Sequence, residues 1–464
     1  MTKDRLETVL AAADAGMGAS LDRLFELIRI PSISTEPAHR EDCRRAADWL
    51  EGELLALGFE ASVRPTAGHP MVVAHDRTGD GPHVLFYGHY DVQPVDPIGL
   101  WKTKPFEPVL VPQPGGDSHI VARGASDDKG QLLTFVEACR AWKNATGSLP
   151  VRVSMLFEGE EEISSPNLIP FLEANKDDLF ADLMLVCDTD MWDERTPAIT
   201  TMLRGLVEEE IDITTADRDL HSGMFGSAAR NANQLLAEIL SSLRGPDGSV
   251  NIDGFYDGVA ELPEEVRAMW NRLPFDGEKF LADIGLSIPA GEQGRSVLEQ
   301  VWARPTCEVN GMWGGYTGEG FKTVIPAKAH AKISFRLVAG QDPEKVRAAF
   351  RAHVEARVPA DCSVTFINHG GSAATVIPVD NPFLQPALTA LAEEWDGRSA
   401  VAGTGGSIPI VGEFKQRLGM DALLVGFARF DNRIHSPNEK YDLSSFRKGI
   451  RSWVRILAAF ADRR

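Results

Sequence analysis

What most constrains the fold is a recurring pattern of short apolar runs, each ending near a histidine or carboxylate and alternating with helical stretches. The runs cover residues 83–87, 120–122, 151–157 and 183–187, and segments such as 131–142 carry helical periodicity. Short apolar runs bounded by turn signals suit strands buried on both faces. Repeated strand–helix alternation builds a mostly parallel sheet flanked by helices, an α/β architecture. Residues 21–30 and 43–57 also repeat with helical period, and Pro31 and Gly58 stop them. At 464 residues the chain is too long for one typical domain, so two or three are expected.

The pattern changes after Arg204. Residues 207–214 read as a strand, 229–243 as a helix, 307–312 and 329–338 as strands, 343–356 as a helix and 363–368 as a strand. That order, β-α-β-β-α-β, is the signature of a ferredoxin-like α+β unit. Residues 245–305 form an insertion within it, rich in Pro, Gly and acidic residues. A helix at 386–395 and an apolar run at 422–427 follow, and His435 lies beyond that run. A candidate ligand so late in the chain implies a return to the first domain. The expected division is 1–205 as the first part of one domain, 206–380 as an inserted domain, and 381–464 as the second part of the first.

Net charge is -20, which argues against nucleic acid or an anionic membrane surface as the main partner. A small anionic substrate remains compatible, because a few local Arg or Lys can hold one. No apolar stretch is long enough to span a bilayer, and residues 1–7 lack the apolar core of a signal peptide. The five cysteines (Cys43, Cys139, Cys187, Cys307, Cys362) are scattered and form no CxxC pair. Neither a disulfide framework nor a thiolate zinc site is expected, and a reducing cytoplasm is the simplest home.

Five metal-type positions each follow an apolar run: His89, Asp127, the Glu160-Glu161-Glu162 cluster, Asp188 and His435. In open α/β sheets functional groups gather beyond the carboxyl ends of the strands. Two imidazoles and several carboxylates converging there suit a divalent metal site, and the number of carboxylates suits two ions. Each position has a blander reading. His89 or His435 could be a solvated loop residue, Asp127 or Asp128 a helix cap, and the glutamates an acidic turn. In Gly88-His89-Tyr90-Asp91, a carboxylate two residues on can orient a ligating imidazole. In the glutamate run, one carboxylate can ligate while its neighbour takes a proton from water. The conjunction of all five favours the metal reading and makes a metal-dependent hydrolase the leading expectation.

These residues fall in a set of motifs: Tyr87-Gly88-His89-Tyr90-Asp91-Val92-Gln93-Pro94, Arg123-Gly124-Ala125-Ser126-Asp127-Asp128-Lys129-Gly130, Glu161-Glu162, Asp219-Leu220-His221-Ser222-Gly223, Lys322-Thr323-Val324-Ile325-Pro326 and His435-Ser436-Pro437-Asn438-Glu439-Lys440. With them the chain resembles the co-catalytic di-zinc metallopeptidases that include carnosine-type dipeptidases, aminoacylases and succinyl-diaminopimelate desuccinylases. Arg304-Pro305-Thr306 and Gly405-Gly406-Ser407-Ile408-Pro409 point to the dipeptidase branch.

The resemblance implies a di-zinc exopeptidase-like catalytic domain with an inserted lid and dimerisation domain, working as a homodimer. It implies that His89 and Asp188 hold one ion, Glu162 and His435 the other, and that Asp127 bridges them. Glu161 is then the general base and Asp91 orients His89. The family's Glu-Gly-x-Glu-Glu spacing leaves Glu160 as the variable position. A cis Asp127–Asp128 peptide is also implied. His221 would reach the partner subunit's site and polarise the scissile carbonyl, Arg336 would grip the substrate carboxylate, and Thr323 and Ser407 would make further substrate contacts. The cofactors would be two divalent ions, zinc first, with manganese or cobalt as alternatives.

One departure bears on specificity. Many dipeptidase relatives carry Arg-Glu where this chain has Gly403-Thr404. An acidic residue there would pair with a free amino group, so its absence turns attention to N-acylated or unusual amides. A second, Asn231-Ala232 in place of Asn-Pro, is expected to alter only a helix start. The expected substrate is a small peptide or N-acyl amino acid with a free carboxylate. The rival readings are an N-acyl-amino-acid deacylase or desuccinylase on the same core, and a non-catalytic scaffold.

Overall fold

The computed structural model describes residues 2–406 and 409–462. The chain packs as two units. The first comprises the residues up to Thr201, Ile377–Ala402 and the residues from Glu413 onward; the second comprises Met202–Val376 with the described part of Gly403–Gly412.

In the first unit four parallel strands form the centre of a sheet, in the spatial order Arg152–Glu158, His83–His89, Leu183–Val186 and Ala422–Gly426. Met71–Asp76 and then Glu60–Arg64 continue the sheet on one side, and Ala198–Leu203 on the other, all antiparallel. The mostly parallel sheet expected from sequence is thus parallel at its centre and antiparallel at its margins. At the Glu60–Arg64 edge the physical reason is connection length: a short loop joins that strand to Met71–Asp76 and favours a hairpin. The central strands are buried along their length, His83–His89 and Leu183–Val186 completely.

Helices Lys3–Ile28, Lys129–Thr146 and Leu443–Ala461 pack on one another against this sheet. Phe86 of the sheet stacks on Phe135 with ring centroids 4.0 Å apart, and Trp453 sits edge-on to both at 5.7 and 5.3 Å. Buried rings of this kind are each worth about 3–5 kcal/mol against alanine. Helix Lys129–Thr146 stops at Gly147, whose φ of 77° lets its N–H return to the Lys143 carbonyl at 2.8 Å. No described helix is long and apolar enough to cross a membrane.

The second unit is built on a four-stranded antiparallel sheet in the order Thr306–Gly314, Lys328–Leu337, Gly205–Thr214, Ser363–Ser372. Numbered along the chain this is 2-3-1-4, the ferredoxin-like order. Val207, Ile211 and Ile213 point to a core completed by Leu236, Phe335 and Phe350. Glu209 shares that buried face and is neutralised by Arg347 and Arg351. Helix Ala232–Ser242 begins three residues later than its periodicity predicts, because the Asn231 side chain accepts the Asn233 N–H at 2.9 Å and caps it there. The insertion contributes the short helices Glu264–Trp270, Gly277–Ala282 and Val297–Trp302, the last opened by a Ser296/Glu299 capping box.

Candidate metal centre and active site

His89 closes its strand and is fully buried. Its Nε2 lies 3.0 Å from Asp127 Oδ1 and 3.9 Å from Asp188 Oδ2. The other oxygen of Asp127, Oδ2, lies 2.9 Å from His435 Nε2, which is 3.2 Å from Glu162 Oε2. Two groups result, His89/Asp127/Asp188 and Asp127/Glu162/His435, each with donor atoms within 4.8 Å of one another. Asp127 belongs to both and offers one oxygen to each.

Charge crowding here is severe. Burial, then the Asp127 carboxylate, pushes the Asp188 carboxyl up to about 8. Burial likewise raises Glu161 to about 7; the His89 charge opposes this, while Asp127, Asp91 and Glu162 add to it. Contacts to Asp127 and Glu162 raise the His435 imidazole to about 10. Acids that hold their protons and an imidazole that gains one mark a site short of positive charge. Its donors are imidazole nitrogens and carboxylate oxygens, the set that suits zinc, manganese or cobalt. The residues therefore fit a pair of divalent cations.

Asp91 organises the surroundings. One carboxylate oxygen lies 3.3 Å from His89 Nδ1 and accepts the Glu161 N–H at 3.2 Å, and the other accepts the Glu162 N–H at 3.1 Å. Asp91 thus sets the glutamate turn through its carboxylate and the imidazole through both that carboxylate and its backbone carbonyl, 3.1 Å from His89 Nδ1. Within that turn the three glutamates separate. Glu160 accepts the His69 N–H at 3.0 Å and the Asn167 amide at 2.7 Å. Glu162 is held by the Gln93 amide at 2.7 Å beside His435. Gly159 is required because a Cβ there would lie 2.2 Å from the Tyr90 hydroxyl oxygen.

The Asp127–Asp128 peptide is cis. Asp128 occupies the N-cap position of Lys129–Thr146 but makes no side-chain cap bond. Its carboxylate instead accepts the His89 N–H at 3.2 Å, so the helix-cap reading of this aspartate does not hold.

Sequence reasoning named Glu439 within a motif but gave it no role. The structure buries it completely beneath the Asp127 loop. Oε1 accepts the Ser126 and Asp127 N–H groups at 2.8 and 3.1 Å, and Oε2 accepts the Gly124 N–H at 2.9 Å and Arg123 Nη1 at 2.8 Å. Glu439 therefore ties the His435 loop to the Asp127 loop. Its only sequence signal is a carboxylate just before a short strand. Lys129 is a second omission: buried, it donates to the Leu27 and Ile30 carbonyls at 3.0 and 2.6 Å and anchors the end of the first helix.

The remaining expected site residues lie in the second unit. His221 is exposed, pairs along the backbone with Val324, and accepts the Gly223 N–H at 3.1 Å through Nδ1. The Ser222 N–H donates to the Thr323 carbonyl at 3.1 Å, so the fold brings His221 and Thr323 together. Arg336 stands opposite Thr306 and lines a cavity of about 740 Å³. Ser407 lies outside the described residues. At Gly403 a Cβ would meet Trp302 Cβ at 2.9 Å, which explains why no side chain is carried there.

Residues 85–459 match the profile of Peptidase family M20/M25/M40. The chain is 31% identical to the Cys-Gly metallodipeptidase dug1 of Schizosaccharomyces pombe over 97% of both chains. It is 28% identical to the human Beta-Ala-His dipeptidase, over 94% of this chain and 84% of that one. Among solved structures, the M20 family metallo-carboxypeptidase Sso-CP2 from Sulfolobus solfataricus aligns with a TM-score of 0.80 at 32% identity, covering 95% of this chain and 99% of that one. Profile, full-length relatives and shared architecture agree with the motifs in the sequence: the chain belongs to peptidase family M20/M25/M40.

Proposed function

We propose that the protein is a metal-dependent dipeptidase that cleaves the amide bond of small peptides with a free carboxylate. The observation that carries this reading is the sharing of Asp127, one oxygen to each His/carboxylate group. His89, Asp127 and Asp188 would hold one cation, and Asp127, Glu162 and His435 the other. Such a pair, zinc first and manganese or cobalt as alternatives, supplies Lewis-acid polarisation of the carbonyl and lowers the pKa of water. Glu161 takes the proton of the attacking water and returns it to the leaving amine. Asp91 keeps His89 and the Glu161 turn in register for that transfer. To the second unit we assign the roles the resemblance implies: Arg336 grips the substrate carboxylate, Thr323 and Ser407 add contacts, and His221 of a second copy hydrogen-bonds the carbonyl oxygen.

Residues 206–380 act in this reading as an inserted lid and dimerisation domain, with 1–205 and 381–464 forming the catalytic domain. The edge strand Thr306–Gly314 exposes Val309, Met312 and Trp313, which suits a homodimer contact. All five cysteines are free thiols, compatible with the cytoplasm. The names of the relatives point to dipeptides. The second reading, an N-acyl-amino-acid deacylase, is favoured by one observation: the pair Gly403-Thr404 offers no carboxylate to a substrate's free amino group.

The test strips the protein of metal and assays a panel of dipeptides and N-acyl amino acids before and after adding Zn²⁺ or Mn²⁺. Metal-restored cleavage of dipeptides is expected; cleavage of N-acylated compounds alone transfers the protein to the deacylase reading. Glu161→Gln should retain both cations and lose about 10²–10⁴-fold in kcat. Near-normal turnover in that variant rejects Glu161 as the base.

A further inference from the structure

Among the described residues of the first unit, the three most exposed large apolar side chains are Ile98, Leu100 and Phe430, at 57%, 63% and 100%. A single exposed apolar residue is ordinary, but these stand on two loops that are both tied to the His435 loop. The first loop, residues 93–102, is anchored at each end beside the Glu162/His435 group. At its start the Gln93 amide donates to Glu162 Oε2 at 2.7 Å. At its end the side chain of Asn438, in the His435 loop, accepts the Lys102 N–H at 2.7 Å and donates to the Leu100 carbonyl at 2.8 Å. Between these anchors Trp101 closes the loop on itself: Nε1 donates to the Val95 carbonyl at 2.8 Å, and the ring lies against the Arg123 guanidinium.

The second loop leaves the strand Ala422–Gly426, bridges Asp190 through Ala428, and turns at Phe430–Asn432 before it reaches His435. Asn432, fully buried, fixes that turn: its Oδ1 accepts the Arg429 N–H at 2.6 Å and its amide donates to Asp442 at 3.1 Å. Lys440 holds the neighbouring Asp431 at 2.9 Å. The exposure of the apolar side chains is therefore built in, because pinned loops cannot turn them inward. Asp96, Lys102 and Arg433, all exposed, rim them with charge. Apolar groups rimmed by polar ones are the pattern of a binding surface.

We propose that Ile98, Leu100 and Phe430 form an apolar wall for the group on the carbonyl side of the scissile amide, so that the protein favours a bulky apolar residue there over glycine or aspartate. The inference deepens the proposed function and rests on its reading of the first unit as a two-cation amide hydrolase. In that reading the carbonyl is held at the cations, and the carboxylate of the leaving amino acid goes to Arg336 in the second unit. The group beside the Glu162 and His435 loops is then the one that bears the carbonyl. It is the N-terminal residue of a dipeptide, or the acyl chain of an N-acyl amino acid. Covering the wall removes apolar surface from water on both partners, and loops already fixed lose little freedom in doing so.

The metal-loaded full chain is assayed on Leu-Ala, Gly-Ala and Asp-Ala. Leu-Ala should lead Gly-Ala by about tenfold or more in kcat/KM, the lower end for apolar contacts in a binding site. The double variant Ile98→Ser/Phe430→Ser, changed only at exposed positions, should erase most of that lead while Gly-Ala turnover persists. Calorimetric binding of octanohydroxamate against acetohydroxamate repeats the comparison without turnover, and the longer chain should bind more tightly to the wild type alone. Equal kcat/KM on the three dipeptides, with the two hydroxamates bound alike, overturns the proposal and leaves the dipeptidase reading standing. A chain preference unchanged in the double variant, with a smaller assembly in sedimentation, also overturns it and gives these side chains to a contact between copies. Absence of any dipeptide cleavage removes the dipeptidase reading. In that event octanohydroxamate still preferred in a manner sensitive to Ile98 and Phe430 keeps the wall, and no preference removes it as well.

Discussion

Replacing Glu439 with glutamine changes one atom and one charge, yet the structure predicts a large effect. The carboxylate accepts three backbone N–H groups and the Arg123 guanidinium, all at 2.8–3.1 Å, in a space sealed from solvent. A glutamine can accept on one side only. Its amide NH₂ would face donors, either the Ser126 and Asp127 N–H groups or those of Gly124 and Arg123. Two bonds are lost in either orientation, and Arg123, 1% exposed, loses its counter-ion. When the amide NH₂ faces Gly124 and Arg123, Arg123 is left with the Pro94 carbonyl at 2.9 Å and the face of Trp101. Breaking a buried ion pair from one side costs about 3–5 kcal/mol. At about 2–4 °C per kcal/mol for domains of this size, the thermal midpoint of the first unit should fall by about 6–20 °C. Because the Asp127 N–H is one of those donors, cation affinity should fall as well. Calorimetric melting with and without Zn²⁺, together with equilibrium dialysis, measures both. Arg123→Met should be milder than Glu439→Gln, because the carboxylate then keeps its three amide donors. A shift under 2 °C in Glu439→Gln, or the reverse order of severity, would refute this account of the loop.

Asp91→Asn should weaken cation binding about 10–100-fold by loosening His89, which competition with a chelator would detect; unchanged affinity rejects the orienting role. Glu137 is buried against Ser20, Arg23 and Arg140; burial alone would raise its carboxyl, but these contacts together hold it below the usual value. Its stabilisation is therefore present above the unfolded pKa of about 4.3 and is lost as pH falls through the lower folded value. The gap in urea midpoint between wild type and Glu137→Gln should accordingly be full at pH 7 and shrink below about pH 4; a constant gap counts against it. At Gly426 a Cβ would lie 1.6 Å from the Thr189 carbonyl oxygen, a backbone atom that cannot step aside. Gly426→Ala should cost about 3 kcal/mol or more, and a soluble variant with a normal melting temperature would contradict it.

The centre of the fold was legible because apolar runs announce strands buried on both faces. His89, Asp127, Asp188 and the glutamates could be placed at strand ends for that reason. The antiparallel margins were harder to read. The strand at Met71–Asp76 is wholly buried yet carries His75 and Asp76, whose polarity is masked by Ser154 and Lys143. Only the folded chain shows those partners. The same limit hid Glu439: its meaning comes from residues 123–127, more than three hundred positions away. The three adjacent glutamates differ only through what faces them, His69 and Asn167 for Glu160 and His435 for Glu162. Periodicity carries no such information. The expected ligand register came instead from the resemblance to a family.

The strand Ala422–Gly426 lies between Leu183–Val186 and Ala198–Leu203, with partners on both sides. Until it is made, the strands that will flank it have no neighbour there. Roughly 240 residues separate Val186 from Ala422, so at about 5–20 residues per second the gap stays open for about 10–50 s on a ribosome. The second unit, nearly continuous in sequence, can complete its sheet during that wait. A newborn chain thus carries a finished domain beside an open one whose strand edges invite pairing with other chains. Messages truncated before codon 422 should yield aggregates rather than a weakened enzyme, and slowing translation late in the message should harm yield more than slowing it early.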